Sequence, residues 1–374
     1  MPSIRFVHTS DLHLGKRFGT MPDTIRSRLV EARHEAIARI ADVARADDAR
    51  HVLVAGDTFD TETPSDNVRV QALAAMGADP ELTWWIIPGN HDSAAAETLW
   101  ERVAEDAPSN VRVLTKPEPV EIAPQVFLLP APLPHRFPGR DLTDWIPGAA
   151  TPEGALRIGL AHGRVQSFHE DADTRDIIPP NRAATAGLDY LALGDWHGAL
   201  TVDPRTYYSG TPERDRFKHN GPGSCLVVTL DGGSPQVETV ETGRFDWQDV
   251  DLNLTPDADV GALLSTHVPA DVVRRRDVLL TIRANGTLRL PEKGELITAG
   301  NTVADSFGLL RLLTDDLSIE VEAGDLDAIA SGGALRSAAD LLQKEAEDEA
   351  ASERDRQIAA RALDRLWTLA QEDV

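Results

Sequence analysis

Asp11-Leu12-His13, Gly56-Asp57, Gly89-Asn90-His91-Asp92, His162 and Gly194-Asp195-Trp196-His197 each close a short apolar run. Pooled, the side chains that could do chemistry are Asp11, His13, Asp57, Asn90, His91, His162, Asp195 and His197. Carboxylates, imidazoles and one amide carbonyl together make a donor set for divalent cations of intermediate hardness, Mn²⁺, Fe²⁺ or Zn²⁺. Eight groups exceed what one tetrahedral site with an open position takes. They are about right for two ions ~3.5–4 Å apart that share a carboxylate. Singly, each piece is ordinary: Asp after Gly is turn chemistry, and a lone strand-end His is more often structural. The ordered set is not.

The runs that carry these residues are "IRFVHTSDLH", "HVLVAGD", "WWIIPGNHD", "RIGLAHG" and "YLALGDWH". Short stretches rich in Val, Ile and Leu suit strands buried on both faces of a sheet. Between the first two, Ile25, Leu29, Ile37, Ile40 and Val43 recur at helical spacing, with Arg and Glu on the other face. A second helix is expected from Ser65-Asp66, and a third after Ser93. Strands alternating with helices imply βαβ units around a central sheet, and ligands bind beyond the carboxyl ends of such strands. One fold would therefore gather all five polar clusters.

Residues 108–155 read as short strands and Pro-rich loops. From Cys225 to Thr242 the pattern alternates around a Gly-Gly turn, a hairpin signature. Residues 277–291 suggest another hairpin with Asn285-Gly286 at its tip. Boundaries are expected near 246 and 332, giving a large domain over 1–245, a small α/β domain over 246–332 and a helical segment over 333–374. In that last segment Leu335, Leu342, Leu363, Leu366 and Leu369 mark an apolar stripe, which suits docking on a partner or packing on its own small domain.

The ordered motifs resemble the calcineurin-like metallophosphoesterase superfamily. "TSDLHLGK" (9–16), "AGDTFD" (55–60) and "YYSGTPE" (207–213) are similar to its SbcD-type DNA-repair exonuclease branch, over residues 3–245. The resemblance implies an α/β fold, a central β-sheet sandwich flanked by helices, with a small α/β capping domain and a helical C-terminus. It implies that Asp11, His13 and His197 hold one ion, that Asp57 bridges, and that Asn90, His162 and the residue at 195 hold the other. His91 would lie outside the direct ligands, oriented by a neighbouring acid, and would stabilise or protonate the leaving oxygen. The branch usually carries Gly-His-x-His where this chain has Gly194-Asp195-Trp196-His197. Carboxylate is a legitimate ligand for Mn²⁺ or Mg²⁺, so Asp195 is expected to hold the second ion.

By the same resemblance the activity is that of a Mn²⁺-dependent 3′–5′ exonuclease and single-strand endonuclease on DNA. It would work as a homodimer with an SbcC-type coiled-coil ATPase. Lys16, Arg17, Arg214 and Arg216 are the candidate DNA contacts, with Lys218 and the Arg274–Arg276 run behind them. Trp196 is expected to fill space beneath its loop. His8, His34, His135, His169, His219 and His267 match no metal motif, and Cys225 reads as an inert core thiol.

A formal net charge of -24 and a sequence pI of about 4.8 repel polyanions at long range. Binding DNA would then need local cations. The charge favours a second reading, a phosphatase or small phosphodiesterase for nucleotides or phosphoproteins. The altered residue at 195 opens a third, a nuclease-silent DNA-binding scaffold for an ATPase. One cysteine excludes a disulfide framework. No apolar run approaches the ~20 residues of a membrane span, and the N-terminus lacks a signal-peptide pattern, so a cytoplasmic protein is expected. Neither a Gly-x-Ser-x-Gly elbow nor a Walker A loop is present.

Overall fold

The structure, a computed structural model, describes residues 2–165, 177–218, 220–320, 326 and 333–372. His169 and His219 lie outside the described residues. The chain divides into two compact units, one of residues 1–216 and 221–246, the other of 217–220 and 247–374.

In the first unit the strands are β1 (Ile4–Thr9), β2 (His51–Val54), β3 (Thr83–Ile86), β4 (Val111–Val113), β5 (Val120–Ala123), β6 (Val126–Ala131) and β7 (Leu156–His162). They continue with β8 (Arg164–Val165), β9 (Ile177–Ile178), β10 (Tyr190–Gly194), β11 (Leu200–Asp203), β12 (Thr206–Tyr208), β13 (Ser224–Leu230) and β14 (Gln236–Glu241). One six-stranded sheet runs β14-β13-β1-β2-β3-β4, and another runs β11-β12-β10-β7-β6-β5. Within them β1–β4 are parallel neighbours, as are β6, β7, β10 and β12. β13 and β14 form the expected antiparallel hairpin.

Three apolar layers hold this unit together, and they explain the unbroken runs. Phe6, Leu53, Ala55, Ile87, Leu160, Tyr190 and Ala192 fill the space between the sheets. Their chain neighbours Val7, Val52, Val54 and Ile86 point the other way, under the helices. Ala161, Leu191, Leu193 and Tyr208 form a third layer on the outer face of the second sheet. A strand buried on both faces has no polar side to alternate with.

The helices that cover Val7, Val52, Val54 and Ile86 are α1 (Asp23–Ala46), α2 (Asp66–Gly77) and α3 (Glu97–Asp106). Helix α1 starts after Pro22 with Asp23 in its first turn and ends with Arg45 in its last, both favourable to the helix dipole. It buries Ile25, Leu29, Ala36, Ile37 and Ile40 at core spacing. Arg33 departs from the expected pattern, being buried on that same face. The Ser65 hydroxyl caps α2 by accepting from the Val68 N–H.

The second unit has a sheet of β15 (Asp246–Leu254), β16 (Val278–Arg289), β17 (Leu309–Leu313) and β18 (Leu317–Glu320). The hairpin expected at 277–291 is absent. β16 runs straight through Asn285-Gly286, pairing parallel with β17 over residues 279–283 and with β18 over 286–289. A two-residue reversal needs positive φ at both positions, and of this pair only Gly286 has it, at φ 105. The glycine is required for a close pass: a Cβ there would lie 2.1 Å from the Leu254 carbonyl oxygen. The apolar stripe near the C-terminus is split into two helices, Gly333–Ala346 and Glu353–Glu372. Leu363 and Trp367 are buried with Leu290 and Ala339, and Leu342 and Leu366 pack against them. Leu335 and Leu369 are exposed.

Candidate metal centre

The carboxyl ends of β1, β2, β3, β7 and β10 converge, so the strand ends and the chain reversals that follow them carry the site. Asp11, His13, Asp57 and Asp195 all have positive φ (55°, 44°, 54° and 94°), four of the eight such non-glycine residues among those described. Each costs ~1–3 kcal/mol, a strain that persists where surrounding contacts over-determine the backbone. Those contacts are present. The Asp11 N–H donates to Gly56 O (3.1 Å) and the His13 N–H to Asp57 O (2.9 Å). The Asp195 N–H donates to the Asp11 carboxylate at 3.2 Å, and the Ser10 hydroxyl donates to the same group at 2.5 Å.

The side chains form two overlapping donor sets. In the first, His13 Nε2 and His197 Nε2 are 3.3 Å apart, and each lies within 3.8 Å of Asp11 Oδ1. In the second, His162 Nε2 lies 3.2 Å from Asn90 Oδ1, 3.6 Å from Asp57 Oδ2 and 4.0 Å from Asp195 Oδ1. Asp57 Oδ2 is also 3.5 Å from His13 Nε2, which places this carboxylate between the sets. The seven residues expected as ligands are thus together. Asp195 is the most exposed of the three carboxylates, its other oxygen 3.5 Å from Arg164 Nε.

The tautomers follow from the partners. His162 Nδ1 donates to the Ala55 carbonyl (2.8 Å), leaving Nε2 for the cluster. The Asp215 carboxylate accepts from His197 Nδ1 (3.1 Å) with the same effect. Asp60 Oδ1 is 3.2 Å from His13 Nδ1, out of line for a hydrogen bond. His91 lies beside the cluster, its ring edge-to-face with His13 at 4.7 Å. Its N–H donates to Asp57 Oδ1 (2.8 Å) and its Nδ1 to the backbone oxygen of Asp60 (2.9 Å). A main-chain carbonyl, not the expected acid side chain, therefore orients this ring.

Electrostatics test whether a cation fits. Asp11 and Asp57 are buried, and among the described residues no Lys or Arg pairs with either carboxylate. Burial, reinforced by Asp92 and Asp11, pushes Asp57 well above the usual carboxylate range. Burial alone would depress His162, but Asp57, Asp11 and Asp195 outweigh it and raise the ring to about 9. A set of buried donors short of positive charge, with hard oxygens and imidazole nitrogens mixed, fits divalent cations.

Several residues at the site were not singled out by sequence reasoning. Arg33 is buried and donates to Leu12 O (2.9 Å), Glu213 O (2.7 Å) and Asp11 O (3.1 Å), tying the first motif to the loop after β12. The signal was a cation on the apolar stripe of α1. Asp60 falls inside "AGDTFD", and Asp215 lies between two arginines noted for their own charge. Of the candidate DNA contacts, Lys16 reaches Asp215 (2.8 Å), and Arg216 contacts both Asp215 (3.0 Å) and the His197 ring (3.2 Å). Arg214 donates to Pro222 O (3.0 Å), and Arg17 is exposed with no ion pair among the described residues. Trp196 packs against the outer apolar layer, as expected.

A family model described as calcineurin-like phosphoesterase matches residues 4–233. The chain belongs to this family. Three curated relatives are similar to the chain. The uncharacterized metallophosphoesterase YhaO of Bacillus subtilis is 22% identical over 70% of this chain and 66% of its own length. The DNA double-strand break repair protein Mre11 of Methanosarcina acetivorans is 25% identical over 65% of this chain and 39% of its own. The SbcD component of the SbcCD nuclease of Rhodobacter capsulatus is 33% identical over 56% of this chain and 62% of its own. This phosphoesterase therefore spans less than two thirds of the length of each of the last two, and about two thirds of the first. Among its described residues no helix is long and apolar enough to cross a membrane.

Proposed function

We propose that this phosphoesterase is a DNA nuclease, a Mn²⁺-dependent 3′–5′ exonuclease and single-strand endonuclease. The observation that carries the reading is the pair of overlapping donor sets with Asp57 between them and His91 alongside. Asp11, His13 and His197 would hold one ion, and Asn90, His162 and Asp195 the other, with Asp57 shared. When bound, the two cations supply the positive charge that in-line displacement at a phosphodiester requires. His91 is held by Asp60 O at Nδ1, so its Nε2 is the atom that faces a leaving oxygen. Exposed Arg216 and Arg164 flank the two sets and would grip the strand backbone, a local basic contact on an acidic protein.

The name of one relative, a DNA double-strand break repair protein, supports DNA as the substrate class, and that of another, a subunit of a nuclease, supports a partner chain. In this reading the chain acts in cytoplasmic DNA repair as a homodimer with an SbcC-type coiled-coil ATPase, docked through exposed residues of its C-terminal helices.

A Mn²⁺-titrated assay on linear duplex and single-stranded DNA, run beside p-nitrophenyl phosphate esters, tests the reading. Wild type should cut DNA, and His91→Ala should lose ~10²–10⁴-fold in rate. Asp195→His should retain cleavage. Absence of DNA cleavage with and without the ATPase, while esters are hydrolysed, replaces the reading with a phosphatase or small phosphodiesterase. Failure on both substrates with a missing second ion leaves the scaffold.

A further inference from the structure

Asp215 is a buried carboxylate with three partners. Its Oδ1 accepts from His197 Nδ1 (3.1 Å) and Arg216 Nε (3.0 Å), and its Oδ2 pairs with Lys16 Nζ (2.8 Å). Two of these partners are cationic side chains, which favour the carboxylate anion. The loop that delivers it is clamped. Arg33 donates to Glu213 O, the Thr211 hydroxyl donates to Asp11 O (2.9 Å), and the Thr211 N–H donates to His197 O (3.1 Å).

The other donor set is built differently. There the ring nitrogen of His162 that faces away from the cluster donates to a neutral carbonyl, Ala55 O. A carboxylate behind an imidazole makes the ring a stronger donor and fixes its rotation more firmly than a carbonyl does.

We infer that Asp215 is the positioning residue of the Asp11–His13–His197 set, fixing His197 with Nε2 toward the cluster, and that Lys16 and Arg216 hold it there. The inference rests on the reading of that set as metal ligands. It also assigns Lys16 to Asp215 and not to DNA.

Titration calorimetry of the metal-free full chain with Mn²⁺, backed by the spin-coupled electron paramagnetic resonance signal of an ion pair, is the test. Asp215→Ala should weaken one of two bound ions by ~10–100-fold and leave the other unchanged. Asp215→Asn keeps the acceptor without its charge and should fall between, and it carries the test if the alanine variant does not fold. Unchanged affinity for both ions overturns the inference and leaves the ligand reading standing. Equal loss of both ions also overturns it, since that reports collapse of the loop. Wild type binding fewer than two ions overturns the ligand reading itself.

Discussion

Replacing Gly89 with alanine asks whether the Gly89–Asp92 loop is built around Asp57. A Cβ at this position would lie 2.2 Å from Asp57 Oδ1 and 2.4 Å from Asp57 N. The carboxylate could rotate, but the backbone nitrogen cannot. Ordinary contact begins at 3.4 Å, so one loop must retreat by about 1 Å. That retreat pulls on the His91 N–H bond to Asp57 Oδ1 (2.8 Å) and the Gly89 N–H bond to Asp92 Oδ1 (2.7 Å). Overpacking costs ~1–3 kcal/mol and one lost bond to a charged acceptor ~1.5–3, so the expected loss is about 2.5–6 kcal/mol. A 1 Å shift of His91 would also lower the cleavage rate by about 100-fold. Gly154→Ala is the control. Its φ of 76° is positive but nothing lies within 4 Å, so it should cost only the backbone strain, ~1–2 kcal/mol. Urea unfolding of both variants in EDTA, which keeps metal linkage out of the comparison, followed by Mn²⁺ titration, measures the difference. If Gly89→Ala loses no more than Gly154→Ala and binds both ions as wild type does, the reasoning is wrong.

Three further outcomes follow from the same geometry. His8 is a buried neutral ring that donates from Nε2 to Leu193 O and accepts at Nδ1 from the Tyr190 hydroxyl, and burial drives its pKa down to about 3. The unfolded chain protonates there near 6.5 and the folded chain does not until about 3. The contribution of His8 to stability is therefore intact above pH 6.5 and falls with acid by about 1.4 kcal/mol per unit, or ~2 kcal/mol by pH 5. His8→Gln should flatten that slope in EDTA, and an unaltered slope would count against the assignment. Arg33→Leu leaves the Leu12 carbonyl without its buried donor and the Asp11 and Glu213 carbonyls sharing one Thr211 hydroxyl, at ~1–3 kcal/mol for each carbonyl left unpaired. Thermal unfolding should show a loss of ~3 kcal/mol or more, and a loss under ~1 kcal/mol refutes the bracing role. Asp195→Ala should weaken one Mn²⁺ and slow cleavage; unchanged stoichiometry and rate would remove Asp195 from the ligands.

The strands β1, β2, β3, β7 and β10 were legible because burial on both faces forces unbroken apolar runs, as Phe6 and Val7 on opposite faces of β1 show, but their order within two separate sheets was not. The first helix was legible from its spacing, but the fate of Arg33 was not, since a cation on an apolar face looks like an exception until its three carbonyls arrive. Asn285-Gly286 was misread because turn residues report only local φ preference. The contact that decides the matter is with Leu254, in another strand. His91 shows the same limit: its partner is a backbone oxygen, which carries no side-chain signature.

The sequence by itself determined which donor atoms exist and their order along the chain, because strand ends are written in the apolar pattern and each polar motif sits at one. Only the tertiary structure decided which nitrogen of each imidazole faces the cluster and what stands behind it. Those outcomes depend on partners from 18 residues apart, for His197 and Asp215, to 200 apart, for Asp11 and Thr211. Such contacts gain their free energy only after the sheets have closed and excluded water, so no local pattern records them.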